Sequence, residues 1–96
     1  MALITLNTAR GWLRVGSEIS DADLQELIDA ATQNVFDFML RPVEGDDAWP
    51  EAEVPKNVVH AVKVVLVVMY DNRDAPVIDE NVLRALVGRY CITSFA

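Results

Sequence analysis

Few residues in this chain have side chains that do chemistry on their own. The 96-residue sequence holds one histidine, His60, and one cysteine, Cys91. A thiol nucleophile needs a base and a positive neighbourhood to form its thiolate. Cys91 lies between Tyr90 and Ile92, with only Arg89 near it in sequence, and reads as a structural cysteine. His60 reads as a core-edge or hydrogen-bonded histidine. A structural zinc site takes about four Cys or His ligands, and this chain has two such residues in all. One cysteine forms no internal disulfide. The acidic residues Asp46, Asp47, Glu51 and Glu53 lack the spacing of a calcium loop, and Pro50 interrupts them, so they read as a solvated acidic loop. Asp21 and Asp23 stand where the first turn of a helix favours negative charge, which explains them better than general acid–base work does. The glycines at 11, 16, 45 and 88 are scattered and build no phosphate loop. No catalytic, cofactor-binding or metal-binding residue is assigned, and the expectation is a protein that is not an enzyme and takes no cofactor.

Charge narrows the classes further. Eight Lys and Arg against 15 Asp and Glu leave a net charge of -7. A non-specific nucleic-acid binder needs basic residues to displace counterions from phosphates. Neither Arg10 with Arg14 nor Arg84 with Arg89 makes a basic stripe. Hydrophobic residues make up 52% of the chain, too many for disorder and above the usual share even before glycine is counted. A chain this short supports one domain with a limited interior, so part of that apolar surface is expected to face a partner. The start of the chain, Met1 to Thr5, does not read as a signal peptide. The most apolar run, Val58 to Tyr70, is broken by His60 and Lys63 and falls short of the roughly 20 residues of a bilayer span. A soluble, reducing compartment is expected.

Helical periodicity supplies the elements that position these residues. Thr5 can cap a short helix from Leu6, with Leu6, Ala9 and Leu13 on one face and Gly16 as its stop. Ser20 with Asp23 makes an acidic variant of the capping box, and Ile19 with Leu24 a hydrophobic staple. Leu24, Leu27, Ile28, Ala31, Val35 and Phe38 then form an apolar stripe, with Arg41 expected in the last turn and Pro42 ending the helix. Residues 43 to 54 read as a flexible loop that still carries Val43, Trp49 and Val54, and so folds back on the body or a neighbour. Pro55 suits the first turn of a third helix. The valines from Val58 to Val68 favour a strand by propensity. However, Asn57, His60 and Lys63 recur every three residues, and the run to Asn72 is too long for an ordinary strand. A buried helix, apolar nearly all round, is the better reading. Asp79 caps a fourth helix, with Ile78 and Leu83 as its staple, and residues 92 to 96 form an apolar tail. The expected fold is all-α, one domain over residues 1–96, a small bundle of about four helices, two long and two short.

Two segments taken together resemble a known family. The first is Ile4-Thr5-Leu6 with Ala9 and Trp12-Leu13-Arg14-Val15, followed by an acidic spacer and the helix from Asp23-Leu24 to Ala31. The second is Pro55, the apolar run Val58 to Met69, and Tyr70-Asp71-Asn72-Arg73-Asp74, closed by Val82-Leu83 to Leu86 and Arg89-Tyr90. This order resembles the small head–tail connector (adaptor, or neck) proteins of tailed bacteriophages, the gp6-like family of lambdoid siphophages. The box Tyr70, Asn72, Arg73 is the most specific part. One departure is that Arg89 precedes Tyr90, where the family pattern has the arginine after the tyrosine.

The resemblance implies a structural virion protein: a homo-oligomeric ring of about twelve copies, set beneath the portal and offering a surface to the next neck or tail protein. DNA would pass through it without specific binding. The location implied is the virion neck, with the host cytoplasm during assembly, and no membrane partner. Trp49, Val54 and Phe95 are the candidate interface residues, each large or apolar yet outside the helical stripes. The residues alone also permit a small acidic helical interaction module or regulator, such as an antitoxin, an anti-repressor or a DNA mimic.

Overall fold

Four segments of this chain carry helical periodicity behind a capping side chain or a proline, and each becomes a helix. A computed structural model describes residues 3–45, 48–72 and 76–91. In chain order the helices are α1 (Leu6–Leu13), α2 (Asp21–Met39), α3 (Lys56–Asp71) and α4 (Glu80–Val87). Single 3₁₀ turns lie at Glu51–Glu53 and Gly88–Tyr90. The protein is all-α, and there is no strand among the described residues.

The starts follow the local chemistry. Thr5 Oγ1 accepts the Thr8 amide at 3.1 Å, and Ser20 Oγ accepts the Asp23 amide at 3.2 Å. Asp79 Oδ1 accepts the Asn81 amide at 2.9 Å. Each bond satisfies an amide that the helix itself leaves without a partner. Ile19 and Leu24 are both buried, as a staple across the start of α2 requires. Pro55 stands at the cap of α3 rather than inside its first turn, and its carbonyl accepts the Val58 amide at 3.0 Å.

The ends depart from expectation. α1 stops at Arg14, which takes the left-handed conformation at φ 58°, two residues before Gly16. α2 stops at Met39, so Arg41 lies outside the helix instead of in its last turn. Leu40 is left-handed at φ 59°. Its amide donates to Asp37 O at 3.1 Å, and the Arg41 amide donates to Phe36 O at 3.0 Å. This pair of bonds is a Schellman closure, made here by a leucine where glycine is usual. Pro42 then prevents continuation.

α2 and α3 form the centre of the structure. From α2, Leu24, Ile28, Ala31, Thr32, Val35, Phe36 and Met39 are buried, while Leu27 and Phe38 are only half-buried. The stripe therefore runs further towards Thr32, Phe36 and Met39 than expected. Thr32 is tolerated inside because its hydroxyl donates to Ile28 O at 2.8 Å. From α3, Val58, Ala61, Val62, Val65 and Leu66 face inward. Val64, Val67 and Val68 are half-exposed, so α3 keeps one wet side rather than being buried all round. α1 packs on both long helices and α4 closes over α3 and the end of α2, with Ala9, Leu83 and Val87 buried.

Two substitutions at the ends of α2 should move stability in opposite directions. Ser20→Ala removes the cap and should cost about 1 kcal/mol. Leu40→Gly relieves the left-handed leucine and should gain about 0.5–1 kcal/mol. Urea unfolding of the two variants beside the parent measures both.

Candidate functional site

The helix-end box is built by the termination of α3. Tyr70 is half-buried and packs against the core. Asn72 caps the helix: its amide donates to Val68 O at 3.0 Å, and its Nδ2 reaches the same oxygen at 3.4 Å. Asn72 thus satisfies a carbonyl that the helix end would leave open. Arg73 lies outside the described residues, as do Phe95 and the rest of the tail from 92 to 96.

Trp49 is half-buried and held by three partners from three parts of the chain. Its ring meets Phe36 of α2 edge-on at 6.2 Å and Tyr90 at 5.9 Å. The Arg41 guanidinium lies 4.1 Å from the ring centre, within cation–π range. Arg41 Nε also donates to Tyr90 O at 2.5 Å. Arg41 is the residue that sequence reasoning misplaced, and displacement from the helix is what frees it for this role. Val54 is half-buried against the same body. Trp49 and Val54 thus anchor the connection between α2 and α3, and only their outer edges face solvent.

Arg10 makes a second clamp that charge counting did not reveal. Its guanidinium donates to the carbonyls of Gly16 and, at 3.0 Å, Ile19, and meets the Asp21 carboxylate at 2.6 Å. One side chain thereby folds the α1–α2 connection onto the start of α2. The exposed carboxylate makes the ion pair itself worth little; the bonds to the two carbonyls carry the positioning.

A third cluster lies on the outer side of α3. His60 is exposed there rather than at the core edge, and Trp12 of α1 meets it edge-on at 6.0 Å. Trp12 Nε1 donates to Lys63 O at 3.1 Å, and Lys63 Nζ lies 5.3 Å from the Trp12 ring centre. Trp12 stays 41% exposed, enough to leave much of an indole face for another surface. Cys91 is half-buried, with Sγ 3.7 Å from Phe38 O. Among the described residues no group of three or more His, Cys, Asp or Glu is placed to hold a metal ion, and no helix is long and apolar enough to cross a membrane.

The clamp around Trp49 is testable by stability. Trp49→Ala should cost about 3 kcal/mol, from lost burial and ring contacts. Arg41→Lys, which keeps the charge but loses the planar stack, should cost about 1 kcal/mol. Guanidinium unfolding followed by circular dichroism measures both.

The geometry described is that of surfaces and clamps. Comparison with known proteins agrees in kind. The family model for "Phage gp6-like head-tail connector protein" matches residues 3–90, nearly the whole chain. No curated protein and no solved structure gives a significant match. The matched span takes in all four helices, the Trp49 clamp and the box at the end of α3. The family is structural, acting where the head of a phage joins its tail, and this chain belongs to the phage gp6-like head–tail connector family.

Proposed function

We propose that the chain assembles into a closed ring of about twelve copies beneath the portal, joins the capsid to the next neck or tail component, and lets the genome pass. The observation that supports this reading is the family match over residues 3–90, joined to an outer surface that keeps Trp12, Leu40, Val77 and Val82 exposed. These side chains are open to contact with a partner, and single exposed apolar residues of this kind support an interface only together with the family match. A ring built from one chain uses two different faces of each copy, so that contacts run head to tail and close. The half-exposed edges of Trp49 and Val54, with Phe95, are proposed as further contact residues. The box Tyr70, Asn72, Arg73 is proposed as structural, setting the turn from α3 to α4.

The net charge of -7 suits a passage for DNA. Carboxylates facing a lumen repel phosphates and lower the cost of sliding past the protein. The portal and a downstream neck or tail protein are the proposed partners, the virion neck the proposed location, and the host cytoplasm the place of assembly. Family membership favours this reading over a free acidic regulator, which would form one small complex with a basic protein.

Size-exclusion chromatography with light scattering, followed by negative-stain microscopy, tests the ring. The expected result is a closed cyclic particle, formed by the chain alone at high concentration or on addition of its portal. A chain that stays monomeric in both settings overturns the proposal.

A further inference from the structure

The two long helices show opposite characters on the sides they turn outward. α2 carries Asp21, Asp23, Glu26, Asp29 and Asp37 and has no Lys or Arg along its length. Its outermost residues, Glu26, Ala30, Gln33 and Asp37, are all exposed. Beside them an open groove is lined by the apolar Ile19, Leu27 and Ala30 together with the carboxylates of Asp23 and Glu26. α3 differs. His60, Lys63, Val64 and Val67 follow one another at offsets of three and four, so they form one continuous strip. Val64 and Val67 are half-exposed, and Lys56 is exposed at the start of the helix. Trp12 lies against the same strip, hydrogen-bonded to Lys63 O and within 5.3 Å of the Lys63 ammonium.

The two surfaces complement each other. One is apolar with carboxylates beside it; the other is apolar with Lys56, Lys63 and an indole beside it, and its one carboxylate, Asp71, stands at the far end of α3. They cannot meet within one copy, because α2 and α3 pack through their inner stripes and their outer sides look away from each other. Two complementary surfaces on opposite sides of one subunit produce head-to-tail assembly. We propose that the Trp12–Lys63–Val64–Val67 strip of one copy docks on the Asp23–Glu26 groove of a second copy. This inference rests on the ring reading and specifies which faces meet.

The physics assigns different tasks to the two kinds of residue. Trp12, Val64 and Val67 supply the area removed from water, with the indole as the anchor at the centre of the contact. Lys63 with Glu26, and Lys56 with the acids along α2, set the register and direction of docking. Head-to-head pairing would bring carboxylate to carboxylate or ammonium to ammonium, and like charges across an interface suppress it. Direction matters, because a two-fold pair of copies would consume the faces a ring needs to close.

Charge reversal on the full-length chain tests the pairing. Lys63→Glu alone and Glu26→Lys alone should each weaken self-association on the order of tenfold, measured by sedimentation velocity over a concentration series. The double variant should return to within about threefold of the parent. An equimolar mixture of the two single variants should also assemble, since every interface in an alternating ring is then complementary. Val67→Asp, on the exposed side of α3, should weaken assembly without rescue by Glu26→Lys. Circular dichroism and thermal unfolding of each variant confirm that the fold is kept. Single reversals that assemble like the parent overturn the docking and leave the ring reading standing, with the strip then facing a different protein. Weakening without rescue in the double variant or the mixture overturns the pairing of these two faces. A parent that never assembles, alone or on its portal, overturns both readings.

Discussion

The packing of α2 against α3 is the contact on which the rest of the structure depends. The chain has no disulfide to staple it, and its length limits it to one small core. Leu24, Ile28, Val35, Phe36 and Met39 from one helix, with Val58, Val62, Val65 and Leu66 from the other, are almost wholly removed from water. Burial of each such side chain stabilises by about 1.5–3 kcal/mol, against about 1 kcal/mol for a helix cap. The seam is therefore the larger source of stability, and the caps decide where its helices begin. It also settles the conformation of α3. Valine favours strands, but the inner stripe of α2 repeats with the helical period, and only a helix brings Val58, Val62 and Val65 to the same side to meet it.

Because the seam consumes the inner sides, it determines what remains outside. The polar and half-exposed residues of α2 and α3 are separated by the thickness of the pair. That separation turns a uniform acidity in composition into an acidic side and a side carrying Lys56, His60 and Lys63. The shorter elements are attached to this pair by polar clamps. Arg10 binds the carbonyls that follow α1, and Arg41 binds Tyr90 and stacks on Trp49. Both arginines act as multi-donor fastenings more than as surface charges, a use that suits the planar guanidinium better than an ammonium. A protein that joins a phage head to its tail must hold its shape between its neighbours, and fastenings at both ends of α2 suit that work.

The acidity takes on more than one meaning in this arrangement. In composition alone it excludes a protein that grips nucleic acid. On the folded chain, Asp21 pairs with Arg10, and Asp21 and Asp23 lie in the first turn of α2 where the helix dipole favours them. Glu26, Asp29 and Asp37 are exposed on the outer surface, where Asp29 and Asp37 accept hydrogen bonds from Gln25 and Gln33. This last group, with Asp23 at the edge of the groove, bears on how copies or partners meet.

Helix starts were legible from residue types because a cap is a bond between neighbours in sequence. Thr5, Ser20 and Asp79 each cap the helix expected of them. The number of helices, their order and the likeness to head–tail connectors were legible for a related reason: periodicity and motif order are properties of the chain itself. The helix ends were not, because the left-handed closures at Arg14 and Leu40 use residues that advertise no such preference. Nor could spacing show that Phe36 and Met39 belong to the core, that Arg41 leaves the helix to reach Tyr90, or that Trp12 lies on His60 and Lys63. Those are contacts between residues about 50 positions apart in the last two cases. The sequence by itself determined which segments become helices and which family they form, since both follow from short-range pattern. Which residues stay exposed on opposite sides, and so which surfaces a second copy can meet, was decided by the tertiary structure, because exposure is whatever the packing of distant segments leaves uncovered.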